Sequence, residues 1–357
     1  MNVFNKLFGS TINNVIQEES FDVAKVKHFF VSVDVAEVEI MTHESPRVDI
    51  KLQTYEGGPV LETEKTDDTL TITAKRERQI IFNLGEVTKC LLQIHVPVNI
   101  ADNLDISATS GKIKLTNLLA DTVRVDATSG IINIAKIMAS KMALNTTSGK
   151  IKANELKLEK LRFLANSGNV EMDSVYGDIS GSVGSGAIFI SGAKGEELEL
   201  KAGSGKIIVK DVYMKNANLS STSGKIDAEN FWGETTNARV GSGNIHFREY
   251  SGSIKGNTNS GNINISVSEN SALDLKTGSG SINVEFQEFE LNSMFDIKTG
   301  SGGIVTKLPM SMERIEKNRL RGKSGNGENL IRLRTGSGKV VLYTAKSSLV
   351  NNKHDIN

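Results

Sequence analysis

The 357 residues carry 42 basic and 42 acidic side chains, so no net field draws the chain to nucleic acid or to an anionic membrane. Aromatic residues make up only 5%, which argues against base-stacking platforms and aromatic sugar-binding grooves, and the lone Cys90 excludes an intrachain disulfide or a cysteine-rich metal site. Thirty-three glycines against four prolines suit an extended β protein with many tight corners.

The chain opens on residues 1–19, where Val3, Phe4, Leu7, Phe8, Ile12, Val15 and Ile16 recur with a period of roughly 3.6. This predicts a short amphipathic helix that caps the open strand edge of the first coil. Contact with a membrane through the same helix is the alternative. However, Lys6 is its only basic residue and Glu18 and Glu19 follow, so attraction to anionic lipid would be feeble. No run approaches the ~18 apolar residues of a membrane span. Met1 to Ser10 also lacks the unbroken apolar core of a secretory signal. The expected location is therefore cytoplasmic, at most peripheral to the inner face of the membrane.

Residues 20–100 read as irregular entry coils. Val35 to Ile40, Val48 to Leu52, Leu70 to Thr73 and Leu92 to Val96 alternate in polarity, and the turn pairs Gly57-Gly58 and Asp67-Asp68 separate them. A separate small β domain is the competing reading.

Residues 101–308 contain the strongest signal in the chain. Ser-Gly followed one residue later by a branched apolar residue recurs at Gly111, Gly130, Gly149, Gly168, Gly186, Gly205, Gly224, Gly243, Gly261 and Gly280, with further members at Gly302 and Gly338. The first ten are spaced by 18 or 19 residues. Pairs such as Ile113 and Leu115, or Ile207 and Val209, follow each glycine. Triplets such as Val123, Val125 and Ala127 precede it. A third apolar station stands at Leu118, Ile137, Leu156, Val175, Val212 and Phe231. Two short strands and a third station per repeat describe one coil of an all-β, single-track β-solenoid (β-helix) of about a dozen 19-residue coils. Stacking at ~4.8 Å would build Ile/Leu/Val ladders along its axis. The glycines are expected at positive φ or in another region hostile to side chains, and the hydroxyl beside each, often preceded by Thr (Thr109, Thr128, Thr147, Thr222), is expected to bond corner backbone. Residues 309–347 hold a polar insertion and closing coils, and 348–357 a flexible tail.

The motif T-S-G-K-I-x-L at Thr109 to Leu115, D-D-T-L-T-I at Asp67 to Ile72, L-Q-I-H-V-P at Leu92 to Pro97 and I-R-L-R-T-G-S-G at Ile331 to Gly338 resemble the bacterial "putative adhesin" repeat family, a domain of unknown function. The resemblance covers nearly the whole chain. It implies a β-solenoid in an envelope- or stress-associated bacterial protein, and it brings no catalytic residues.

Nothing in the sequence assembles a reaction centre. The five histidines are scattered, and no phosphate loop, calcium repeat or nucleophile elbow is present. No cofactor or metal is expected. A polysaccharide-acting β-helix enzyme is the lesser alternative, but the post-glycine strands from Gly111 to Phe189 put no paired carboxylates on adjacent coils. Two features stand out as candidate partner sites. One is the basic stretch Arg314, Lys317, Arg319, Arg321 and Lys323; the other is the outward apolar pair Phe189 and Ile208 on successive coils. The expected function is a non-catalytic rigid scaffold or binding protein associated with the bacterial envelope or its stress response, with an extracellular adhesin as the alternative. Its partner would be a protein or an envelope component and not nucleic acid. End-to-end self-association is open to a stack of this kind.

Overall fold

Residues 14–23, 26–76 and 89–345 are described by the computed structural model, and they fold into strands joined by turns. The chain forms two compact units, Met1–Lys157 and Leu158–Asn357. In the first, β1 (Asn14–Asp22), β2 (His28–Val33), β3 (Ala36–His43), β4 (Arg47–Tyr55), β5 (Val60–Lys65), β6 (Thr69–Lys75) and β7 (Cys90–Pro97) lead into β8 (Asn103–Ser191). The last is a continuous paired run that turns through several coils and continues past Lys157.

The expected N-terminal helix is corrected at the residues that can be seen. Asn14 to Gln17 belong to β1, which runs antiparallel to β4 with Val15 opposite Thr54 and Gln17 opposite Leu52. Adjacent β-branched Val15 and Ile16 suit a strand. An edge of β4 that would otherwise expose unpaired amides and carbonyls also gains a full ladder from one. The remainder of the proposed helix, like the proposed tail 348–357, lies outside the described residues.

Spatial order in this first unit departs from chain order. β2 and β3 lie parallel to the start of β8, with Phe29 opposite Leu104, Val31 opposite Ile106 and Ile40 opposite Leu115. On their other side they pair with the later strands β6 and β7, Val31 facing Ile72 and Ile40 facing Ile94. Antiparallel β4 then lines β7, and β5 lines β6. The side chains named here on the inner face, from Phe29 to Leu115, are all buried.

In the second unit β8 gives way to β9 (Lys194–Ser242), β10 (Ile245–Ser260), β11 (Ile263–Val267), β12 (Leu273–Ser279) and β13 (Ile282–Phe286). Ile188 pairs with Ile207, Ile226 with Ile245, Ile245 with Ile263 and Ile263 with Ile282, every one of them buried. Ile151 is equally buried in the first unit. Removing an isoleucine of this kind from water is worth about 1.5–3 kcal/mol, so the ladder gains stability coil by coil. Larger side chains fill one stretch, where the Phe247 ring meets Phe231 and Tyr250 edge-on at 5.7 and 5.3 Å. The buried Tyr250 hydroxyl is satisfied by donating to the Ser253 carbonyl at 2.8 Å.

The unit closes with β14 (Ser293–Ser301), β15 (Ile304–Thr306), β16 (Ser311–Glu316), β17 (Arg319–Ser324), β18 (Asn329–Ser337) and β19 (Val340–Thr344). Here too the coils are out of chain order. β18 sits between β12 and β14, and β19 between β13 and β15. The last described coil of the chain is thus threaded between two earlier ones. β17 pairs antiparallel with β14, and β16 with β17, so the parallel ladder ends on a hairpin.

The corner glycines explain the stacking distance. Most have φ between 121° and 155°, as at Gly111, Gly130, Gly243 and Gly302. Gly149 and Gly205 do not fall in the left-handed region, and a second cause holds them to glycine. A Cβ on Gly205 would lie 1.7 Å from the carbonyl oxygen of Gly186, and one on Gly149 2.0 Å from that of Gly130. Each corner therefore rests directly on the backbone of the coil before it. Beside Gly111 the expected Ser110 hydroxyl bonds corner backbone, donating to the Asp34 carbonyl at 3.3 Å, but other corners are sealed from a different position. Thr109, Thr128, Thr147 and Thr222 are exposed. Instead the buried Thr258, Thr277 and Thr335, three residues before their glycine, donate to the carbonyls of Gly243, Gly261 and Gly280 at 2.8–2.9 Å.

The eight coils that begin at Gly111 to Gly243 have a further corner that carries no glycine signature. Immediately before the third apolar station, Asn117, Lys136, Glu155, Ser174, Asp211, Asn230 and Glu249 adopt φ of 49–62°, with Gly192 (φ 64°) taking the equivalent place in its coil. Non-glycine residues in this region cost about 1–2 kcal/mol each, a cost offset by burying the apolar side chain that follows.

The two kinds of corner should respond differently to substitution. Gly205→Ala should lower stability by on the order of 3 kcal/mol, because its Cβ has only backbone to displace. Gly303→Ala, which would meet nothing within 4 Å, should be tolerated. Equal denaturant midpoints for the two variants would refute the stacked-corner account. At the exposed Lys136, substitution by Gly should be neutral or stabilise by up to about 1 kcal/mol, whereas Val should destabilise by about 1–3 kcal/mol. Calorimetric melting of both variants checks the order.

Candidate functional site

The basic stretch folds into the β16–β17 hairpin, with Lys317 exposed at its turn. Much of its charge is already engaged. Arg319 and Arg321 both reach Asp296 on β14 at 3.3 Å, and the Arg314 Nε donates to Glu316 at 2.6 Å. Burial pushes the Asp296 carboxyl up, but hydrogen bonds from Arg321 and Arg319 outweigh this and hold it below its ordinary range. The five residues do sit together on a closing hairpin, in which Arg314, Arg319 and Arg321 are ion-paired and Lys317 faces solvent.

Phe189 and Ile208 stand directly opposite each other where β8 meets β9, both half-buried on the outward side of the post-glycine strands. They do not join the hairpin, which lies on β14, past the inserted β18. The same column continues from them into a charge network. Asp227 takes the next place after Ile208 and pairs with His246. Asp227 accepts from Lys225 at 2.7 Å and faces Arg248 at 3.4 Å, while Glu229 accepts from Arg248 at 2.7 Å and from Lys210 at 3.1 Å. Hydrogen bonds from Arg248 and Lys210 hold the Glu229 carboxyl below its usual range. Burial pushes the His246 imidazole down, Asp227 opposes this, and Arg248 and Lys225 add to it. Beyond the charges the column turns to amides, with Asn283 Nδ2 donating to Asn264 Oδ1 at 2.7 Å. The sequence signal for this set is the outward alternation of coils 225–229 and 244–248, in the same register as Phe189 and Ile208.

In the first unit a smaller polar set occupies the strand before the glycine. Arg124 Nε donates to Asp126 at 2.6 Å, and Asn145 Nδ2 donates to the other oxygen of Asp126 at 2.7 Å. Burial raises the Asp105 carboxyl, against the pull of Arg124.

One outward column escapes the sequence reading altogether. The residue after the third apolar station is Tyr176, Lys194, Tyr213 and Trp232 in four successive coils of the second unit. Tyr176 pairs with Lys194, the Tyr213 amide donates to the Ala193 carbonyl at 2.9 Å, and Trp232 pairs with Ser251. The three aromatic residues are 50%, 48% and 39% exposed. Their signal is the same 18- or 19-residue offset that marks the core residues, carried one position further along.

A family model described as Toastrack DUF4097 matches residues 26–181, 167–290 and 268–342. No curated protein matches the chain. Among solved structures it is similar to a "putative cell adhesion protein" from Clostridium sporogenes, at 12% identity over 93% of this chain and 99% of that one, with a TM-score of 0.23. A "putative adhesin" from Parabacteroides distasonis is 14% identical over 76% of this chain and 97% of its own, with a TM-score of 0.34. A "putative lipid binding protein" from the same organism is 15% identical over 76% and 98%, with a TM-score of 0.35.

The network predicts a pH effect. Because the folded protein lowers the His246 pKa below its ordinary value of 6.5, the neutral ring is the favoured folded form. Its contribution is complete above pH 6.5 and is lost as pH falls through the folded value. The melting temperature of the native chain should therefore fall slightly more between neutral pH and about pH 5 than that of His246→Gln. Parallel pH profiles would overturn the assignment.

Proposed function

This chain belongs to the Toastrack DUF4097 family, and from that premise we propose that it is a non-catalytic binding scaffold of the bacterial cell envelope. The observation that carries the proposal is the register of its outward side chains. Phe189, Ile208, Asp227 and His246 succeed one another along one column of the second unit, so a partner meets a continuous strip that passes from apolar to charged. A half-buried apolar pair at the head of an ion-paired network has the composition of an interface centre with a polar rim.

The chemistry of the carboxylates in this network supports binding over catalysis. A glycoside-cleaving pair needs one carboxylic acid whose pKa is raised so that it can donate a proton. In the network Glu229 is instead held ionised by Arg248 and Lys210, and Asp227 is matched by Lys225 and Arg248.

The test is fractionation of cells that make the native chain or Phe189→Asp/Ile208→Asp. The native protein should sediment with the envelope, and the double variant should move to the soluble fraction with its melting temperature little changed, since both positions face outward. Identical distributions for the two proteins would sink the proposal.

A further inference from the structure

The aromatic column suggests a second, chemically distinct site. The whole chain has five tyrosines and one tryptophan, and three of these six stand at one outward station of the second unit, as Tyr176, Tyr213 and Trp232. Exposure of 39–50% at each leaves ring surface facing solvent. Large amphipathic rings held out of the core cost hydrophobic stabilisation that an inward position would supply, so their concentration at one station calls for a contact.

We infer that this column binds an extended β-linked glycan built of neutral or N-acetylated pyranoses. Coils stacked at ~4.8 Å put the backbone of Tyr213 and Trp232 one step apart and that of Tyr176 and Tyr213 two steps apart, close to the rise of one and of two pyranoses in such a chain. The C–H faces of pyranoses stack on aromatic rings, and sugar hydroxyls need hydrogen-bonding groups at the edges of those rings. Two residues before Tyr213 and Trp232, the left-handed corner supplies them. Asp211 and Asn230 are linked there by an amide hydrogen bond of 2.7 Å, which fixes both side chains in place. Lys194, between Tyr176 and Tyr213, adds a donor on a flexible stem. A lipid surface fits less well. Asp211, Glu234 and Glu249 border the column against Lys194 within it and Lys210 and Lys215 beside it, so it offers no cationic surplus to draw anionic headgroups. The site uses a different face from the post-glycine strip and does not depend on it.

Trp232 is the only tryptophan, so its emission reports on this column alone. Titration of the full chain with cellohexaose and with chitohexaose should give a saturable shift or quench with at least one of them. Tyr213→Ala should weaken that binding by about tenfold or more while melting as the native protein does. Tyr343→Ala, which lies off the column, should bind normally. Three results would each overturn the inference. They are emission indifferent to both sugars at millimolar concentration, unchanged affinity in Tyr213→Ala, and a response only to vesicles of phosphatidylethanolamine and phosphatidylglycerol, which would assign the rings to lipid.

Discussion

Everything in this molecule depends on how closely one corner can lie on the next. At Gly130, Gly205, Gly224 and Gly243 a single Cβ would sit 1.7–1.8 Å from the carbonyl oxygen of the preceding coil. With no side chain there, the backbones approach to the strand spacing that parallel pairing requires. Core ladders of isoleucine stack in register because the corner sets that register; a side chain at the corner would hold the coils apart and forfeit contacts on both neighbouring strands. The buried threonines at 258, 277 and 335 act in the same place, tying the corner carbonyl that the turn leaves without a strand partner.

A parallel stack has the weakness that its terminal coils expose unpaired backbone. Both described units meet it with antiparallel strands, β1, β4 and β5 in the first and the β16–β17 hairpin in the second. Short strands with charged side chains are a recognised protection against edge-to-edge pairing. That places Arg314, Arg319 and Arg321 in a structural role at a closing edge, where Asp296 and Glu316 neutralise them.

The regular coils were legible because their signal is redundant: every repeat states the same glycine, the same alternation and the same third station. The T-S-G-K-I-x-L motif and its repeats led to the same family as the model match over residues 26–342. At the N-terminal segment Val15 and Ile16 satisfy a helical period as easily as a strand edge, and only the partner strand β4 decides between them. Lys136, Glu155 and Glu249 give no sign of a left-handed backbone, since such side chains rarely adopt it, whereas Asn117, Asp211 and Asn230 are of the types that adopt it most readily after glycine. The aromatic column escaped for another reason. Bulk composition dilutes three rings across 357 residues, whereas the fold gathers them at one station.

The threaded final coil sets the order in which this chain can be completed. Residues 293–306 are synthesised before residues 329–344, yet in the finished molecule they have no direct pairing with β12 and β13 and reach them only across β18 and β19. A nascent chain emerging from the ribosome can add regular coils one after another as far as Phe286. It then has to hold the next segment off the stack until residues 329–344 have been made. Closure of this part of the stack thus waits on residues 329–344 by topology, and a chain cut short after Thr306 would lack the middle layer on which its own last strands are meant to rest.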